Sequence, residues 1–129
     1  MLKNLISAAD LTASDIRYLL STARAFAPAI KQGESLPLLK GQTVVNLFFE
    51  NSTRTRTSFE LAIRKLEGGT LNFAAGGSSV QKGETLIDTA KNIEAMRPHC
   101  LVVRHSSAGS PHVLANSIKI PIINAGRFS

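Results

Sequence analysis

TVVNLFFENSTRTRTSFELAIRKLEGG, from Thr43 to Gly69, decides how this chain folds. Its first seven residues, Thr43 to Phe49, form a continuous apolar run of branched and aromatic side chains. Such a run suits a central strand of a parallel sheet covered on both faces. The polar stretch that follows passes at once into helical spacing, with Phe59, Ile63 and Leu66 on one face, and Gly68 and Gly69 close it. Strand, turn and helix are therefore joined without a linker.

The same alternation extends in both directions. Upstream, Asp10 to Lys31 reads as a helix, with Thr12 as N-cap and Asp15 three residues on, close to a capping box. Its apolar stripe is Ile16, Leu19, Leu20, Ala23 and Phe26. Downstream, TLNF (Thr70 to Phe73) is a second strand, and AAGGSSVQKG (Ala74 to Gly83) is a loop of small residues. Glu84 to Met96 is a helix striped by Leu86, Ile87, Ala90, Ile93 and Met96. CLVV (Cys100 to Val103) is a third strand and IPIIN (Ile120 to Asn124) a fourth. Between them Ser110-Pro111 opens a short helix over Val113, Leu114 and Ile118, with proline at its favoured first position. Strands alternating with helices predict an α/β fold, a parallel sheet of about four strands with helices on both faces, forming one domain over residues 1–129.

Composition narrows the function. Lys and Arg number 15 against 9 Asp and Glu, a formal net charge of +6 that attracts anions. No block of like charges and no aromatic-basic interleaving suggests a polyanion, so a small anionic substrate fits better than nucleic acid. No apolar stretch approaches the ~20 residues of a membrane span, and the N-terminus lacks a signal-peptide pattern, so a cytoplasmic location is expected. The single Cys100 has no partner for a disulfide and reads as a buried, inert thiol. His99, His105 and His112 have no ligand-like spacing; no metal is expected, and each reads as a satisfied surface or edge histidine.

In open α/β sheets ligands collect at the carboxyl ends of the strands, and three features fall there. Ser52-Thr53-Arg54-Thr55 lies where the first strand ends and a helix begins. Ser52 reads as the N-cap, leaving the next amides free for an anion, with Arg54 offering a planar fork of donors. Spacing alone leaves a second reading open, a capped surface helix with solvated arginines. The stretch is neither an NTPase P-loop nor a dinucleotide-binding glycine turn. Lys82, on the loop with Ser78 and Ser79, reads by itself as an exposed loop lysine, with closure over an anion as the alternative. Arg104 directly follows CLVV.

Taken together, these motifs resemble a known family. FFENSTRTRTSFE (Phe48 to Glu60) is similar to the carbamoyl-phosphate signature of the aspartate and ornithine carbamoyltransferases. SSVQKGETLIDT (Ser78 to Thr89) resembles the aspartate branch, and VVRH (Val102 to His105) and INAG (Ile123 to Gly126) follow in order. The resemblance implies that Ser52, Thr53, Arg54 and Thr55 bind the phosphate of carbamoyl phosphate and that Arg104 contacts the same substrate. Thr55 and Arg104 would polarise its carbonyl oxygen. Ser78 and Lys82 would reach into the site of an adjacent subunit of a homotrimer, with regulatory or dihydroorotase subunits as possible further partners. Arg56 would form an ion pair supporting the site. The implied reaction carries the carbamoyl group to the amine of L-aspartate, with no cofactor; ornithine as acceptor, or a non-catalytic binding or assembly role, are the alternatives. After INAG the family pattern continues into Asp-Gly, His-Pro-Thr-Gln and a second domain, whereas this sequence reads Arg127-Phe128-Ser129. The expectation is that these 129 residues alone have no significant turnover.

Overall fold

The computed structural model describes residues 2–74, 86–107 and 109–126. Along the chain run α1 (Ala13–Lys31), β1 (Thr43–Phe48), α2 (Thr53–Lys65) and β2 (Gly69–Ala74). Then follow α3 (Leu86–Ala95), β3 (Cys100–Arg104), α4 (Ser110–Ser117) and β4 (Ile122–Asn124). The strands lie in the order β2-β1-β3-β4, and every pairing is parallel.

Two apolar layers cover the sheet, as its near-continuous hydrophobic strands require. On one face Val45, Leu47, Leu101, Val103 and Ile122 pack with Ala90 and Ile93 of α3 and Leu114 of α4. On the other, Val44, Phe48 and Val102 pack with Ile63 of α2, flanked by Phe59 and Leu39. The alternation of side chains along each strand makes this division, since residues two apart share a face. The expected α/β sheet with helices on both faces is therefore present.

Local chemistry sets the element ends. Thr12 and Asp15 form the expected capping box, each side chain bonding the other's amide at 3.0 Å. The residue in left-handed conformation after α2 is Glu67 (φ 63°), not either glycine. Gly68 is needed for a different reason: a Cβ there would stand 2.9 Å from Ile63 Cγ2 and 3.0 Å from Leu39 Cβ. Its N–H donates to Ile63 C=O while Glu67 N–H donates to Arg64 C=O, the paired bonds of a Schellman ending.

Several expectations need correction. Helix α1 begins at Ala13, preceded by a short 3-10 turn over Ala8–Asp10. None of its residues is buried, and Ile16 and Leu20 are 41% and 55% exposed. Only Ala23 and Phe26 of its stripe line a groove of about 600 Å³ against α2, together with Ile30, Leu61 and Leu66 among others. Met96 falls off the α3 stripe and is 71% exposed, because the helix tightens into i→i+3 bonds and Arg97 turns left-handed at φ 60°. Strand β4 starts at Ile122 rather than Ile120, since Pro121 has no N–H to donate and contributes its carbonyl to Leu101. Sequence reading also missed the N-terminal segment, which pairs in parallel with β4. Leu5 N–H donates to Ile122 C=O, Asn124 N–H to Leu5 C=O, and buried Asn124 Nδ2 to Ile6 C=O.

Candidate functional site

The strand order fixes where a ligand can sit. From β1 the chain moves outward to β2, then returns across β1 to β3 and continues to β4. The direction of winding thus reverses between β1 and β3, and the crevice beyond their carboxyl ends is the topological switch point. The two strand ends are bonded there: Phe48 pairs with Arg104, and Phe49 N–H donates to Arg104 C=O at 2.8 Å. The segment Phe49–Thr55 leaves one strand and Arg104–Ser106 leaves its neighbour. The segments that carry two of the three sequence-predicted features therefore leave adjacent strand ends.

Helix α2 begins there with its first amides open. Arg56 N–H donates to Ser52 C=O at 3.0 Å, the first intrahelical bond. The N–H groups of Thr53, Arg54 and Thr55 have no hydrogen-bond partner among the described residues. Ser52 holds the expected N-cap position, and at φ −144°, ψ 71° its hydroxyl makes no bond to the helix amides, which stay open. Helix α1, with its closed capping box, shows what a satisfied terminus looks like in this fold. Open amides at the positive end of a helix dipole are the donors an anion site requires. Arg54, in the same turn, is exposed and has no ion pair among the described residues.

Arg104 is already partly engaged. Its Nε donates to Glu50 Oε1 at 2.8 Å, and a terminal guanidinium nitrogen donates to Ala125 C=O at 2.9 Å. A guanidinium has five N–H donors, so three are unused among the described residues. A polar cavity of about 230 Å³ is lined by Glu50, Arg104, His105 and Ser106. The larger apolar groove between α1 and α2 holds no group suited to anion chemistry beyond the rim residues Lys31 and Lys65, so size does not identify the site.

Sequence reading missed Glu50 and His105 as members of this cavity. His105 is half-buried just past the end of β3, a satisfied edge histidine as expected. Its Nδ1 accepts from Ser107 N–H at 2.9 Å and lies 3.1 Å from Ser110 Oγ, and its ring packs against Phe49 with centroids 4.8 Å apart. The position of Glu50, immediately after the apolar run, was the available signal, since a side chain there must lie at the strand's carboxyl end. Arg56 forms the expected ion pair, with Glu60 at 3.7 Å. Ser78 and Lys82 lie outside the described residues. Among the described residues no cluster of His, Cys, Asp or Glu could hold a metal, and no helix is long and apolar enough to cross a membrane. Cys100 is half-buried, and desolvation pushes its thiol up to about 11, opposed by a hydrogen bond from the Leu101 backbone.

Comparison with known proteins places this geometry in context. Residues 3–128 match the aspartate/ornithine carbamoyltransferase, carbamoyl-P binding domain. The chain is 50% identical over 125 residues to an aspartate carbamoyltransferase catalytic subunit of Cytophaga hutchinsonii, covering 96% of this chain and 41% of that protein. It superposes on the catalytic subunit of M. jannaschii aspartate transcarbamoylase with a TM-score of 0.91 at 38% identity, covering 97% of this chain and 42% of that one. The Trypanosoma cruzi aspartate transcarbamoylase, solved in complex with carbamoyl phosphate and aspartate, matches with a TM-score of 0.87 at 37% identity, covering 98% and 39%. The chain thus spans about two fifths of the length of these relatives.

Proposed function

Because the chain belongs to the aspartate/ornithine carbamoyltransferase family through its carbamoyl-phosphate-binding domain, we propose that residues 1–129 are that domain and bind carbamoyl phosphate at the β1–β3 crevice. In the complete reaction the amine of L-aspartate attacks the carbamoyl carbon, giving N-carbamoyl-L-aspartate and phosphate, a step of pyrimidine biosynthesis. The observation that carries this reading is the uncapped first turn of α2 beside Arg104, at the point where the sheet's winding reverses.

The roles follow from the chemistry. The amides of Thr53, Arg54 and Thr55, the Ser52 hydroxyl and the Arg54 guanidinium bind the phosphate dianion. Arg104 and the Thr55 hydroxyl polarise the carbonyl oxygen, on which negative charge grows as the tetrahedral intermediate forms. Donors fixed at the sites of developing charge lower that barrier without reorganising, and binding the carbamoyl group against the incoming amine removes much of the entropic cost. Phosphate departs carrying the electrons of the broken C–O bond, stabilised by the donors that first bound it. Ser78 and Lys82 complete the site of a neighbouring subunit in a homotrimer. The complete protein works in the cytoplasm, with aspartate rather than ornithine as acceptor, as the names of the relatives favour. The 129 residues alone bind carbamoyl phosphate but do not turn it over.

Calorimetric titration of the chain with carbamoyl phosphate, with L-aspartate present and absent, tests this reading. One saturable site per chain is expected, with no carbamoyl-aspartate formed. Absence of binding in a folded sample would refute the site; turnover comparable to that of complete relatives would refute the assigned division of labour.

A further inference from the structure

One buried polar residue has no role in the site as described. Asn46 sits in the middle of β1, fully buried, within an otherwise apolar strand. Its Nδ2 donates at 3.2 Å to Oδ1 of Asn72, its register partner on β2. Asn72 Nδ2 donates in turn at 2.8 Å to Glu60 Oε1. That same carboxylate oxygen lies 3.7 Å from Arg56 Nε, one helical turn earlier on α2. A continuous line of polar contacts therefore runs from the centre of the sheet to the start of the helix.

Stability does not explain this line. Asn46 Oδ1 and Arg56 Nε are both sealed from solvent without a hydrogen-bond partner, which costs free energy. An apolar residue of similar volume would fill the buried Asn46 position at lower cost. What the line does is anchor an end of α2 that has no other long-range side-chain bond among the described residues. The helix has one buried residue, Ile63, and its partly buried Phe59 also lies beyond the first six residues. The first six residues, Thr53 to Ser58, contribute no apolar side chain. The other side-chain bond of that turn among the described residues is local, from Thr53 Oγ1 to Asn51 Oδ1 at 3.4 Å. Arg56 is the residue whose N–H closes onto Ser52 C=O, so its position decides where the three open amides end.

We propose that Glu60, oriented by Asn72 and Asn46, is a positioning residue that holds Arg56 and thereby fixes the first turn of α2 in its open, anion-receiving geometry. The consequence for phosphate affinity rests on the function proposed above; the consequence for the ligand-free helix does not. Neither asparagine nor Glu60 touches the anion.

The test compares the chain with Glu60→Gln and with the double variant Asn46→Leu/Asn72→Leu, using amide hydrogen exchange first without ligand and then phosphate titration. The Arg56 amide should lose protection about twofold in both variants, the size expected for a lost, partly exposed i, i+4 ion pair. The amides around Ile63 should be unchanged, and the double variant should melt no lower than the parent. Phosphate affinity should fall by a similar factor. If Arg56 protection is unchanged, or falls uniformly along α2 with a lower melting temperature, the positioning role is wrong. If protection falls as expected but phosphate binds neither parent nor variant at the α2 turn, the positioning role stands and the site assignment fails.

Discussion

Replacing Thr53 by proline would remove one open amide and almost nothing else. Thr53 is the first residue of α2, the position where proline is best tolerated because its missing N–H has no intrahelical partner to lose. The residue before a proline must avoid helical backbone, and Ser52 already does so at φ −144°, ψ 71°. The substitution also deletes the Thr53 hydroxyl, whose one bond is a weak 3.4 Å contact to Asn51. Thr53→Ala is the control, removing the hydroxyl and keeping the amide. A hydrogen bond to a charged group contributes about 1.5–3 kcal/mol, so losing one donor to the phosphate should weaken binding by roughly 10- to 150-fold. Thr53→Ala should weaken it several-fold less. Phosphate titrations by calorimetry on the three proteins, each checked for an unchanged melting temperature, give the comparison. Equal affinities for Thr53→Pro and Thr53→Ala would show that this amide does not contact the anion.

Three further outcomes follow from the same structure. Glu50→Gln keeps an acceptor for Arg104 Nε but removes a negative charge from the cavity wall, so phosphate should bind tighter, by roughly 1 kcal/mol or about fivefold, with the gain shrinking as salt is raised. Leu101, fully buried in the centre of the sheet, should cost about 2–5 kcal/mol as Leu101→Ala, whereas Leu61, 55% exposed, should cost under about 0.5 kcal/mol; urea unfolding measures both. Burial raises the folded-state Cys100 thiol from 9.0 to about 11, so folded chains hold a proton that unfolded chains release in this window. Stability should be fully present below about pH 9 and decline as pH approaches 11, and Cys100→Ala should show a shallower decline over the same range.

Much of this architecture was legible in the sequence because its determinants are local. The run from Thr43 to Phe49 marked the central strand, and Thr12 with Asp15 marked the start of α1, since a cap is written within four residues. Ser52 was placed correctly at the head of α2, since a small hydroxyl residue between an apolar run and helical spacing marks an N-cap. The stripe on α1 could be counted but not shown to be buried; whether a partner covers it is not encoded in the stripe. Contacts spanning long sequence separations were invisible. Leu5 pairs with Ile123, and Asn46 bonds Asn72, through register that only the assembled sheet fixes. Arg104 was identified from its place after CLVV, whereas its partner Glu50 was passed over because their separation of 54 positions gave no hint of contact.

Backbone amide chemical shifts, followed as phosphate is titrated into the folded chain, measure most directly whether the open turn of α2 receives the anion. The largest changes should fall on Thr53, Arg54 and Thr55, with smaller ones at Arg104 and His105, and should saturate at one phosphate per chain. Saturating shifts centred instead on the α1–α2 groove, or on the N-terminus of α4, with Thr53 to Thr55 unmoved, would contradict it.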